Sequence, residues 1–120
     1  MTEQRWIIAA RPRFLQWLEE QDAGTQKRIL ANLEMLGIQG PALGRPFADT
    51  VQGSAFSNMK ELRVQCKGKP IRAFFAFDPL RKAIILCAGD KTGDKRFYER
   101  MIPVADQEYK DYLDEEYDEL

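Results

Sequence analysis

Arg63, Arg72, Lys91 and Lys95, with the phenol of Tyr98, stand out between Asn58 and Pro103, a stretch of three apolar runs that each carry or end in basic residues. Strand alternation sends Glu61, Arg63 and Gln65 to one side and Leu62, Val64 and Cys66 to the other. In the next run Arg72 shares its side with Phe74 and Ala76, while Ile71, Ala73, Phe75 and Phe77 form an apolar row. An arginine inside an apolar strand needs acceptors. Two explanations fit: an ion pair to a carboxylate such as Glu61, or a phosphate site. The neighbouring Arg63, Lys91 and Lys95 favour the second. A small sheet with cations and a tyrosine on one side is a surface suited to a polyanion.

Other chemistries find no support. The chain has no histidine and two cysteines, so zinc sites of the usual Cys/His kinds are excluded. Cys66 and Cys87 lie in alternating or apolar positions with no activating base nearby, which predicts buried, reduced thiols rather than nucleophiles. No carboxylate pair or cluster points to a two-metal nuclease, and no metal or small-molecule cofactor is expected. The Gly89 to Arg96 segment superficially resembles a nucleotide loop, but Asp90 precedes Lys91 where a Walker A motif requires glycine.

The elements that must carry these residues follow from the pattern. At 120 residues, with 44% hydrophobic and 31% charged side chains, the chain predicts one domain over 1–120. No apolar run is long enough for a bilayer, and Arg11 and Pro12 break the short N-terminal patch, against a signal peptide; a cytoplasmic location without membrane contact is the expectation. Trp6 to Ala10 predicts a first strand. Pro12 then opens a helix with a Phe14, Leu15, Trp17 and Leu18 stripe. A second helix, capped from Asp22 to Thr25, has Ile29, Leu30, Leu33 and Leu36 as core positions and Gly37 as its stop. Gly37 to Ser57 carries too many glycines and prolines for a long regular element and is expected to be irregular. Strands follow at about Lys60 to Cys66, Ile71 to Phe77 and Lys82 to Gly89, with turns at Lys67 to Pro70 and Asp78 to Arg81. A final helix begins at Phe97 or Val104, with Pro103 as an interruption, and gives an acidic C-terminal helix over 104–120. The order βααβββα predicts an α+β domain, with helices against one face of a mostly antiparallel sheet.

Charge is unevenly distributed. Residues 1–105 hold 17 basic and 11 acidic side chains, whereas residues 106–120 hold one lysine and eight carboxylates. The acidic end, with Tyr109, Tyr112, Leu113 and Tyr117 on one helical face, is expected either to lie loosely over the basic site or to dock a basic partner segment.

Met59-Lys60-Glu61-Leu62-Arg63, Ile71-Arg72-Ala73-Phe74-Phe75, a strand ending in Gly89-Asp90-Lys91, and Phe97-Tyr98 together resemble the RelE/ParE toxin superfamily. The N-terminal tryptophan strand and the Gly40 to Pro46 loop resemble its HigB-like, phage-derived branch. The resemblance implies a toxin of a type II toxin–antitoxin pair. Many such toxins are ribosome-dependent endoribonucleases that cut mRNA; ParE-like ones inhibit DNA gyrase, and a degenerate relative would only bind its antitoxin. By motif, Arg72 corresponds to the arginine of the third strand, Lys91 to the basic residue after the strand-end glycine, and Tyr98 to the tyrosine that helps catalysis or stacks on a base. Glu61 stands where a lysine would be expected. If the chain is a nuclease, Arg72 and Arg63 stabilise phosphate charge. Lys91 adds charge or moves a proton, Tyr98 does acid–base or stacking work, and Lys60, Lys67, Lys69, Lys95 and Arg96 bind RNA. The implied partners are mRNA on the ribosome and a cognate antitoxin with a helix-turn-helix domain. That domain would supply the DNA reading for which this chain has no recognisable motif.

Overall fold

A computed structural model describes residues 5–117. Pro12 supplies the first turn of α1 (Pro12–Glu19), which follows strand β1 (Ile7–Ala10). Helix α2 (Ala23–Gln39) starts where Asp22 Oδ1 accepts the Thr25 N–H at 2.7 Å; that bond, first among several, pulls the Asp22 carboxyl down to about 2. Among the described residues the remaining elements are a 3-10 turn (Gly40–Ala42), β2 (Ala48–Thr50), β3 (Lys60–Cys66), β4 (Lys69–Phe77), β5 (Lys82–Asp90) and α3 (Phe97–Tyr117). The strands form one sheet in the order β1-β5-β4-β3-β2, parallel only between β1 and β5. The α+β architecture is thus the expected one.

Several particulars differ from the expectation. The helices cover both faces of the sheet. Phe14, Ile29, Leu33 and Leu36 of α1 and α2 pack on Leu62, Val64, Ile71, Ala73 and Phe75. On the other face Phe97, Met101, Ala105, Tyr109 and Tyr112 of α3 meet Phe74, Ala76, Ile84 and Leu86. The cause is visible in β4 and β5, whose runs Ala73 to Ala76 and Ala83 to Ala88 are buried without alternation, as in strands sandwiched between two layers. Leu30 is exposed rather than in the core. Helix α3 begins at Phe97, the first of the two expected starts, and runs unbroken through Pro103, so the acidic helix over 104–120 is the later part of a longer one; positions 118–120 lie outside the described residues. Pro103 and Glu99 are both exposed, so water can serve the carbonyl that a proline leaves unpaired.

Gly37 lies inside α2, buried where the Trp6 carbonyl would sit 3.4 Å from a Cβ, and the helix stops at Gly40 instead. Gly40 has φ +55, and a Cβ there would lie 2.3 Å from Trp6 Nε1. Gly40→Ala therefore combines a strained backbone with a clash against the indole. It should cost about 2–4 kcal/mol in urea unfolding; a loss below about 0.5 kcal/mol would show that the indole moves aside freely.

The acidic end of α3 does not cover the cations. Tyr112 and Tyr117 donate to Asp78 Oδ2 at 2.7 and 3.1 Å, and Glu108 and Glu115 pair with Arg11, at the far end of the sheet. Asp78 lies six positions after Arg72, just past the end of β4, roughly 20 Å of extended chain. The expected shield over the basic site is therefore absent for the described part of the tail; Asp118 and Glu119 fall outside it.

Candidate functional site

The β3–β4 register places Arg63 directly opposite Arg72, on the face that α3 covers only in part. Two guanidinium groups side by side repel one another, and Glu61, two residues before Arg63 on the same face, lies between them. Its carboxylate is 4% exposed. Oε2 accepts from Arg63 Nε and Nη2 at 3.4 and 3.3 Å. Oε1 accepts the Tyr98 hydroxyl at 2.7 Å and faces Arg72 Nε at 3.6 Å, an ion-pair distance too long for a hydrogen bond. Arg72 Nη1 donates to its neighbour's carbonyl, Ile71 O, at 3.1 Å, and Nε is buried without a hydrogen-bond partner among the described residues. The ion pair to Glu61 that the sequence offered as the structural explanation of Arg72 is therefore formed.

Tyr98 comes from the first turn of α3, its ring edge-on to Phe74 with centroids 6.2 Å apart. Lys91 Nζ stands 5.4 Å from the centre of that ring. The lysine's backbone is fixed by its N–H bond to Pro70 O at 3.0 Å, which ties the end of β5 to the start of β4. Burial, and then the bond and negative charge of Glu61, push the Tyr98 phenol above its ordinary value, with Arg72 acting in the opposite direction. The phenol stays protonated at neutral pH. It donates to Glu61, and it can hand its proton on only as its oxygen takes up another.

Strand β2 and the turn before it bring two more charges. Asp49 Oδ2 accepts from Arg45 Nε at 2.9 Å and from Arg63 Nη2 at 3.2 Å, and the Arg45 bond, first among several, holds its carboxyl below the ordinary value. Sequence reading missed both residues, because a three-residue strand inside a glycine- and proline-rich stretch shows no period. A groove of about 450 Å³ opens over this row, lined by Arg45, Asp49, Glu61, Arg63 and Tyr98 among others. Its two arginines are matched by its two carboxylates, and the further cations Arg72 and Lys91 stand outside it, beside Glu61 and Tyr98.

Of the residues singled out by sequence, Arg63, Arg72, Lys91 and Tyr98 thus come together, organised by Glu61. Lys60 is opposite Phe75, and by alternation belongs to the face covered by α1 and α2. Lys67 sits in the β3–β4 turn with φ +54 and pairs with Asp22 at 3.3 Å, and Lys69 begins β4 nearby. Lys95 and Arg96 are exposed in the turn before α3, with Arg96 4.0 Å from Glu99. Cys66 and Cys87 are buried and unbridged, and burial drives the Cys87 thiol up to about 12, which keeps it protonated.

Comparison with known proteins finds residues 16–110 matching the family described as phage derived protein Gp49-like. HigB3 of Mycobacterium tuberculosis, a toxin by name, is 42% identical over 107 residues, covering 88% of this chain and 92% of its own. HigB2 of the same organism, likewise a toxin by name, is 44% identical over 99 residues, 81% of this chain but 49% of its own length. Among solved structures, a mutant of the Escherichia coli toxin RelE in the free state superposes with a TM-score of 0.58 at 8% identity, covering 79% of this chain and 93% of its own. The intact RelBE toxin–antitoxin complex from Escherichia coli gives 0.55 at 7% identity, covering 70% and 94%. At such identities the fold is what is shared.

Proposed function

The chain belongs to the phage-derived Gp49-like family and, within it, to the HigB-type toxins of RelE-like fold, and from that premise we propose that it arrests growth by cutting mRNA on the ribosome. The observation that carries this reading is that Glu61 holds Arg63, Arg72 and Tyr98 together, with Lys91 over the Tyr98 ring. In strand cleavage the ribose 2′-oxygen bonds to phosphorus and the bond to the 5′-oxygen breaks, leaving a 2′,3′-cyclic phosphate and a 5′-hydroxyl. Arg63 and Arg72 offset the charge that builds on the phosphorane. The 2′-hydroxyl gives its proton to the Tyr98 oxygen as Tyr98 passes its own to Glu61, and the Lys91 ammonium protonates the departing 5′-oxygen. Lys95 and Arg96 lie in sequence beside Lys91 and contribute salt-sensitive contacts to the RNA backbone. Lys60, Lys67 and Lys69, on the other face or the hairpin tip, would act only where the RNA or the ribosome wraps the domain.

The proposed protein partner is a small antitoxin that carries a helix-turn-helix DNA-binding domain. Its support is the shared fold with a chain solved in a toxin–antitoxin complex. Both toxin and antitoxin would act in the cytoplasm; among the described residues no helix is long and apolar enough to cross a membrane.

Induction in cells, with transcript 5′ ends mapped before and after blocking translation initiation, tests the activity. New ends inside translated frames that vanish with the block support it. Intact transcripts with gyrase trapped on DNA would replace it with the ParE-like alternative. Purification of the chain from its native locus tests the pairing, and a toxic chain recovered without a neutralising neighbour would contradict it.

A further inference from the structure

A second groove of about 360 Å³ adjoins the first, and Arg63 lines both. Its lining also includes Phe47, Arg28, Asn32, Gln65 and Arg72. Phe47 is a large aromatic residue left 42% exposed, beside the turn that enters β2. Its main chain is nonetheless rigid. Phe47 N–H donates to Gly44 O at 3.0 Å, and Phe47 O accepts the Arg63 N–H at 2.7 Å, so the ring is held next to a cation of the cleavage site. An exposed ring on a fixed backbone, flanked by guanidinium groups, has the features of a stacking platform for a flat, polar heterocycle. The amides of Asn32 and Gln65 can each donate and accept, as the edge of a base requires.

We propose that this groove is a nucleobase-binding subsite: it takes the base of the nucleotide flanking the phosphate held by Arg63 and Arg72, with Phe47 stacking on its face and Asn32 and Gln65 reading its edge. The assignment rests on the mRNA-cleavage reading for its orientation. Single-stranded RNA is the occupant because a base in a duplex does not expose its face.

The test uses the purified full chain and end-labelled hexamers of A, C or U, titrated by fluorescence anisotropy at two salt concentrations. Phe47→Ala should weaken binding by about 5- to 150-fold, the range for loss of one stacked base, and Phe47→Trp should bind within a few-fold of wild type. Asn32→Ala should narrow the differences among the three hexamers while changing the average affinity less. If Phe47→Ala does not fold, Phe47→Leu, apolar but without an aromatic face, is read in its place. Equal binding by wild type and Phe47→Ala, with affinity set by salt alone, overturns the subsite, as does a wild type that binds no hexamer at low salt. Binding that depends on Phe47 in a protein that cuts nothing on ribosomes leaves the subsite standing and removes the cleavage reading.

Discussion

Arg72→Ala is expected to lower transcript cleavage by on the order of 10²-fold or more, the usual consequence of removing one preorganised group from transition-state charge. Its position makes the loss specific. Arg72 faces Arg63 across the strand pair and is held beside Glu61, so the substitution removes half of the guanidinium pair and leaves Tyr98 bonded to the same carboxylate. Stability should fall as well, by about 1–3 kcal/mol, because buried Glu61 loses one of its cations while keeping Arg63 and Tyr98. Cleavage is therefore compared well below the midpoint of unfolding. Arg72→Lys keeps the charge without the planar fork and should fall between the two. A folded Arg72→Ala protein that cuts within a few-fold of wild type would reduce Arg72 to the ion-pair partner of Glu61.

The largest effect on stability should come from Asp78, at the opposite end of the sheet. This carboxylate is 4% exposed. It accepts from Tyr112, from Tyr117, and from the backbone N–H groups of Leu80 and Lys82 at 2.9 and 3.0 Å. It thereby fixes the β4–β5 turn and clamps the end of α3 to it. Asp78→Ala strands those donors, and a loss of about 3–5 kcal/mol follows from charge-assisted bonds and a buried hydroxyl left unpaired. Asp78→Asn keeps an acceptor and should recover part of it. Burial pushes the Asp78 carboxyl up, but the bonds from Tyr112, Lys82, Leu80 and Tyr117 outweigh it and hold the group below its ordinary value. A carboxyl depressed on folding contributes its full stability above the unfolded value near 3.8 and loses it as pH falls through the folded value. Wild-type stability should decline over that acidic window, and Asp78→Ala should show a flatter decline; parallel acid limbs would contradict this role.

The fold was legible where period and punctuation were strong. The strand carrying Glu61 to Cys66 follows from alternation, that carrying Ile84 to Ala88 from an apolar run bounded by turns, and the helix with Ile29, Leu33 and Leu36 from helical spacing. What the pattern hid had physical causes. The unbroken burial of Phe74, Phe75 and Ala76 signals two covered faces, but an apolar row assigned to one face conceals that. Gly37 looks like a helix stop, but it lies inside α2 against Trp6 and Ile8, and the helix ends at Gly40. The cations of the site were visible one by one from strand parity. Their assembly by Glu61 was only half visible, since parity places Glu61 beside Arg63 but says nothing of Tyr98 swinging in from α3. Arg45, Phe47 and Asp49 depend on a strand too short to have a period.

The most direct measurement is cleavage by purified protein in a reconstituted system, with a defined mRNA bound to ribosomes and a codon in the decoding site. The account predicts cuts within that codon, leaving cyclic phosphate and 5′-hydroxyl ends, in the presence of ribosomes and lost with Arg72→Ala. Uncut mRNA under those conditions, with growth arrest still caused in cells by the same preparation's gene, would contradict it.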